Sequence, residues 1–251
     1  MRIALGIEYD GGAYSGWQRQ KHGSGVQESL ELALSKVADE AIDVTCAGRT
    51  DAGVHASGQV VHFDTQAARS MRGWLLGANS NLPPDINATF ACEVDDSFHA
   101  RFSAIDRTYH YRILNRLYRS ALQRNRSWWV HRPLDHSAMS EASRCLLGEH
   151  DFSAFRASGC QASTAVRNVF SVDVVRQGDW VDIHICANAF LQHMVRNITG
   201  TLVAVGCGDR QPGWMDTVLK SGDRTQAGIA APPQGLTLIA VTYPDKYQFR
   251  L

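Results

Sequence analysis

In the run Arg49-Thr50-Asp51-Ala52-Gly53-Val54-His55-Ala56, one carboxylate stands close to a guanidinium, and Gly48 and Gly53 loosen the backbone on either side. An arginine at that distance can keep a carboxylate ionised inside a cleft, because a nearby opposite charge favours the charged form. Asp51 in that state could act as nucleophile, general base or metal ligand. The same residues also suit an ordinary turn, with Asp51 capping the backbone and Arg49 on the surface. Taken alone, the run leaves both readings open.

A second chemical signal is the distribution of charge. Net charge is zero, yet lysine occurs only at positions 21, 36, 220 and 246. From Arg101 to Arg132 there are eight arginines (101, 107, 112, 116, 119, 124, 126 and 132) against one acid, Asp106. Phe102, Tyr109, Tyr111, Tyr118, Trp128 and Trp129 are interleaved with them. Guanidinium forks bind phosphates and stack on bases, and aromatic rings add stacking platforms. A merely solvated helix face would alternate signs, so the stretch points to nucleic-acid contact.

The elements that must position these groups follow a repeated order. Ile3, Leu5, Ile7 and Tyr9 alternate with smaller residues as in a strand. Val26, Leu30, Leu34 and Val37 recur at helical spacing after Ser24-Gly25. Strands near Val44 and over 60–63 flank the Asp51 run, a helix is predicted over 69–78, and a strand over 88–94. The second half predicts a strand over 109–114, a helix over 137–147, a hairpin across Gln177-Gly178-Asp179, a helix from about Phe190, and a last strand over 236–243. Two copies of β-α-β-β-α-β predict an α+β protein of two ferredoxin-like halves, their sheets joined into one extended sheet. The halves are 1–100, carrying the aspartate loop, and 101–251, carrying the basic insertion. Segments 116–133 and 148–166 read as long functional loops. On the predicted helix from Phe190, the face with His193, Arg196, Asn197 and Gly200 is too small and polar for a core. A buried Arg196 would need a carboxylate partner, for which Asp51 is a candidate.

Several classes are excluded. No segment has the length or apolarity of a signal peptide or membrane span. The six cysteines show no Cys-x-x-Cys pair, which argues against a zinc ribbon or a disulfide scaffold. Histidines 55, 62 and 99 match no zinc-ligand spacing, so no metal and no cofactor is expected.

The chain as a whole resembles the tRNA pseudouridine synthase A family. The resemblance runs through Gly6-Ile7-Glu8-Tyr9-Asp10-Gly11, Gly16-Trp17-Gln18-Arg19-Gln20, the stretch 47–56 with Gly58-Gln59-Val60-Val61-His62-Phe63, and Leu82-Pro83-Pro84-Asp85-Ile86. It continues through Phe98-His99-Ala100-Arg101-Phe102, Arg107-Thr108-Tyr109, the stretch 150–156, His193-Met194-Val195-Arg196-Asn197 and Gly235-Leu236. It implies the pseudouridine synthase fold and a cofactor-free isomerase of uridines 38, 39 and 40 in the tRNA anticodon stem-loop. It further implies a cytoplasmic homodimer that holds the anticodon stem-loop and elbow of tRNA, with no membrane or DNA partner. By resemblance, Asp51 is catalytic, Tyr109 stacks on the flipped uracil, Arg196 pairs with the aspartate, Arg49 fills the vacated space and Leu236 lines the pocket. Ser163 departs from the pattern, since relatives often carry arginine there. The alternatives are a non-catalytic RNA-binding protein and a nucleoside hydrolase using Asp51.

Overall fold

The computed structural model describes residues 1–20, 23–247 and 249. Its contacts divide the chain into two units: Met1–Arg107 with the segment from Leu238 onward, and Thr108–Thr237. Among the described residues there are ten β-strands and five α-helices, so the chain is mixed α+β as its patterning predicts.

The first unit contains β1 (Arg2–Tyr9), α1 (Val26–Ala38), β2 (Thr45–Cys46), β3 (His55–Asp64), α2 (Met71–Asn81) and β4 (Ile86–Val94). β1 lies between β4 and β3, antiparallel to both, and the short β2 pairs with β3. This is the predicted split β-α-β order. Residues 238–242 of β10 (Leu236–Thr242) belong to this unit, where β10 borders β3. Residues 3–7 of β1 are all buried, not just alternate ones, because both faces of the sheet are covered. The helices lie on one side, with Trp74 of α2 edge-on to Phe63 at 5.1 Å. On the other side Phe98, Ala100, Tyr243 and Tyr247 pack with Ala4, Val60 and Phe90. α1 is tied down by Glu31, buried at 3 % exposure. Its carboxylate pairs with Arg19 and accepts from the Val44 N–H at 3.0 Å.

The second unit takes most of β5 (Asp106–Asn115), then β6 (Trp128–Val130), α3 (His136–Ser143), β7 (Gly148–Asp151), β8 (Val166–Gln177), β9 (Trp180–Ala187), α4 (Met194–Gly206) and α5 (Trp214–Ser221). Its sheet runs β5-β9-β8-β7. Tyr111, Ile113, Ile183, Ile185, Met139, Ile198, Leu202 and Met215 are fully buried between sheet and helices.

Three expectations are corrected here. The helix predicted from Phe190 begins at Met194, after His193 adopts a left-handed backbone with φ of 63°. The segment 148–166 is not simply a loop, since it contributes β7 and the fully buried Phe152 and Phe155. The polar face of α4 does enter a core, because Asn197, Thr199, Gly200 and Thr201 are all buried.

Candidate active site

Asp51 sits between β2 and β3, on a loop whose backbone is clamped from two directions. From one side comes the segment 14–17. The Trp17 N–H donates to the Thr50 carbonyl at 3.0 Å, and the Gly53 N–H donates to the Tyr14 carbonyl at 3.3 Å. Gly16 makes this approach possible, with φ of 105° and with the Thr50 carbonyl oxygen only 2.9 Å from where a Cβ would lie. Thr50 is fixed again by its hydroxyl, 2.7 Å from the buried Tyr9 hydroxyl. The Val54 N–H closes a turn onto the Asp51 carbonyl at 3.1 Å.

From the other side the base of the loop is held by Arg107. This buried guanidinium donates to the Ala47 carbonyl at 2.9 Å and to the Arg101 carbonyl at 2.6 Å. Gln59 adds a bond from Nε2 to the Gly48 carbonyl at 2.6 Å. Asp51 itself is half-buried and Arg49 is exposed. A carboxylate on a loop with so many backbone constraints has little freedom to reorient, which suits a reacting group more than a surface turn.

Tyr109, Arg196 and Leu236 belong to the second unit. Tyr109 is 7 % exposed and stands edge-on to Phe190 with ring centres 5.0 Å apart. Arg196, in the first turn of α4, is half-buried rather than buried. Its Nε donates to the Ala231 carbonyl at 2.7 Å, and the Ala231 N–H returns a bond to the Arg196 carbonyl at 3.0 Å. The 228–231 segment lies directly on α4, with a Cβ on Gly200 falling 1.7 Å from the Ile229 carbonyl oxygen. Thr201 Oγ1 accepts from the Gly228 N–H at 3.0 Å, and Arg224 Nη2 donates to Asn197 Oδ1 at 3.0 Å.

Tyr111 holds the next turn of chain. Its hydroxyl donates to the Pro232 carbonyl at 2.7 Å, and its ring leaves no room for a Cβ on Gly235, the residue before the buried Leu236. Burial pushes the Tyr111 phenol far above its ordinary range, and the nearby Arg196 charge only partly opposes this. Tyr111 is therefore a neutral donor that fixes the 232–235 turn. The sequence places Tyr111 among the aromatic stacking platforms of the basic stretch; the structure corrects this, because the ring is fully buried on the same face of β5 as Tyr109 and serves as an internal anchor.

The basic stretch divides by structure. Arg107 is consumed by main-chain carbonyls, Arg112 by Asp182 at 2.9 Å and Arg132 by Asp209 at 2.8 Å. Arg101, Arg119, Arg124 and Arg126 are exposed. Arg119 and Arg124 line a cleft of about 250 Å³ together with Gln123, Trp128 and Trp129. Exposed guanidinium groups beside indole rings are suited to phosphates and bases. Among the described residues no three His, Cys, Asp or Glu side chains are grouped to hold a metal, and no helix is long and apolar enough to cross a membrane.

A clamped carboxylate and exposed arginines on an α+β scaffold describe a protein that works on nucleic acid, and comparison with known proteins gives the family. The family model for tRNA pseudouridine synthase matches residues 6–103 and 142–244, and the chain belongs to that family. A Coxiella burnetii (strain Dugway 5J108-111) protein named tRNA pseudouridine synthase A is 52% identical over 247 residues, covering 98% of this chain and 95% of the relative. Proteins of the same name from Nitrosococcus oceani and Shewanella baltica are 54% and 55% identical, each covering 95% of the relative. Asp51, Arg49, Arg196 and Leu236 lie within the matched stretches of the family model, whereas Tyr109 and the 116–133 insertion fall between them.

Proposed function

We propose that the protein isomerises uridine to pseudouridine in tRNA, at positions 38, 39 and 40 of the anticodon stem-loop, with Asp51 as the catalytic residue. The observation that carries this reading is the Asp51 loop, held by 14–17 on one side and by Arg107 on the other. The family match and the relatives' shared name support the substrate.

In the proposed reaction Asp51 acts on the ribose as nucleophile or base. The C1′–N1 bond breaks, the uracil turns, and a C1′–C5 bond forms. The C5 proton leaves and N1 gains a proton, so no atom is added or lost. A single carboxylate suffices because nothing is hydrolysed, whereas a glycoside hydrolase needs a second. A stacked uridine must first leave the stem, which calls for a pocket, an aromatic wall and a group to fill the gap. We assign the wall to Tyr109 and the filler to Arg49. Arg196 is assigned as the partner of the Asp51 carboxylate, and Leu236 as the apolar lining.

The proposal includes a homodimer that holds the tRNA anticodon stem-loop and elbow, and a cytoplasmic location, in keeping with six cysteines that are all free thiols. The test is to incubate unmodified tRNA with the protein alone and map pseudouridine. Modification at 38–40 with unchanged RNA mass is expected. Release of free uracil would identify a hydrolase instead, and binding without either product would identify a non-catalytic RNA-binding protein.

A further inference from the structure

The loop after β4 is built more firmly than an exposed connection requires. Phe98 is fully buried, its ring 5.1 Å from Tyr243 and 4.8 Å from Tyr247. Three successive anchor points follow along the backbone. Arg2 Nη1 donates to the Phe98 carbonyl at 2.9 Å, the Tyr243 hydroxyl to the Ala100 carbonyl at 2.7 Å, and Arg107 Nη2 to the Arg101 carbonyl at 2.6 Å. The N–H groups of Arg101 and Phe102 both converge on His99 Nδ1 at 3.2 Å. His99 and Ser103 then close the loop on each other. The His99 N–H donates to Ser103 Oγ at 2.9 Å, and the Ser103 N–H donates to the His99 carbonyl at 2.8 Å.

What this rigid loop presents is Phe102, which is 75 % exposed. One face of its ring is backed by His99 at 4.3 Å, and His99 in turn lies 4.8 Å from His62. The Arg101 guanidinium stands 5.5 Å from the Phe102 ring centre. Burial, then the charge of Arg2, lowers the His99 pKa, and two N–H donors occupy its Nδ1, so the backing ring is neutral. A lone exposed apolar side chain is ordinary. One fixed in orientation, backed by aromatic rings and flanked by an exposed guanidinium has the makings of a stacking surface.

We propose that Phe102 stacks on one unpaired base of the RNA substrate, with Arg101 holding the neighbouring phosphate. Any base offers a π-face to such a ring, and a guanidinium fork suits the phosphate beside it. The site is registered to the catalytic loop, because the Arg107 guanidinium binds both the Arg101 carbonyl and the Ala47 carbonyl at the root of the Asp51 loop. A base held on Phe102 therefore helps fix which nucleotide reaches Asp51. This inference rests on the reading of the protein as acting on tRNA.

The experiment compares wild type, Phe102→Leu, Phe102→Trp and Arg101→Gln for binding of an unmodified tRNA transcript at one salt concentration. Pseudouridine formation by wild type, circular dichroism and sedimentation mass are measured on the same preparations. Phe102→Leu keeps an apolar side chain but loses the ring, and should weaken binding about 5- to 100-fold. Phe102→Trp should bind as wild type or tighter, and Arg101→Gln should weaken binding and lower its salt dependence. Near-wild-type affinity of Phe102→Leu, or equal losses for Leu and Trp in folded protein, overturns the proposal. So does a change in sedimentation mass with RNA affinity unchanged, which would make the loop a contact between copies. If wild type forms no pseudouridine yet the ring-dependent loss of affinity persists, the catalytic reading fails and the stacking site stands.

Discussion

Arg196 and Ala231 grip each other twice, the arginine Nε on the Ala231 carbonyl at 2.7 Å and the Ala231 N–H on the Arg196 carbonyl at 3.0 Å. This leaves one edge of the guanidinium committed to the main chain, which fixes the direction in which its remaining N–H groups point. The arrangement depends on Gly200, one turn further along α4, because the Ile229 carbonyl occupies the space of a Cβ there. Gly200→Ala should destabilise the protein by about 1–3 kcal/mol through overpacking, although alanine is about 1 kcal/mol the better helix former. The urea midpoint should fall, and turnover should fall with it as Arg196 shifts. An unchanged or raised midpoint would show that the 228–231 segment does not pack as described.

Asp51→Asn tests the catalytic assignment. The substitution keeps size and hydrogen-bonding capacity while removing the charge. The variant should fold and bind tRNA normally, yet lose several orders of magnitude in single-turnover pseudouridine formation, on the order of losses seen when essential catalytic groups are removed. Asp51→Glu should fail nearly as badly, since it moves the carboxylate oxygens by about 1 Å on a loop that cannot adjust. Near-normal rates for the Asn variant would reduce Asp51 to a turn residue.

For the basic insertion, Arg119→Glu with Arg124→Glu should weaken tRNA binding at low salt and flatten its salt dependence, because fewer phosphate counterions are released. The modified positions should not change. A dissociation constant that does not vary with salt in wild type would contradict this.

His62 predicts a pH effect on stability. Its ring is 6 % exposed and its Nδ1 accepts from the Ala100 N–H at 3.1 Å. Burial first, then His99 and Arg2, pushes its pKa from 6.5 down to about 4. The unfolded chain therefore binds a proton at pH values where the folded protein does not, so this contribution is complete above 6.5 and lost as pH falls toward 4. Asp64, held low by its bond to Arg2, and Asp95, held low by Ser97, add their losses only at more acidic pH. His62→Asn keeps an acceptor for Ala100 without titrating. Its thermal midpoint should fall less steeply than wild type across that window, and parallel profiles would refute the assignment.

Much of this fold is legible in the residue pattern because each clear element carries its own period. α1 shows Val26, Leu30 and Leu34 on one face, and they are buried there. The polar face of α4 misleads for a physical reason: main chain packs against Gly200 and Thr201, and Asn197 is satisfied by the Phe155 carbonyl and the Arg224 guanidinium. Small polar residues are what a docked backbone requires, and no periodicity reveals it. α5 is too short for its period to declare it, although Trp214, Met215, Val218 and Leu219 share a face and Gly222 stops the helix in a left-handed conformation. Charge showed a similar limit. Arg112 and Arg132 look like their neighbours in the sequence, but their partners Asp182 and Asp209 lie 70 and 77 residues away. The Asp51 loop is legible because arginine, aspartate and two glycines crowd into so few positions, whereas the Tyr111 anchor for Pro232 depends on a separation of 121 residues.

Residues 238–242 belong to the first unit, and Tyr243 and Tyr247 seal its second sheet face, while the second unit is a continuous insertion from Thr108 to Thr237. On the ribosome, the inserted unit has emerged in full before the strand and rings that close its host. A released chain truncated after Thr237 should therefore resist protease within 108–237 and be cut readily within 1–107. The portion bearing Asp51 is synthesised first and matures last, so a chain released early would carry the reacting carboxylate on an unfinished sheet.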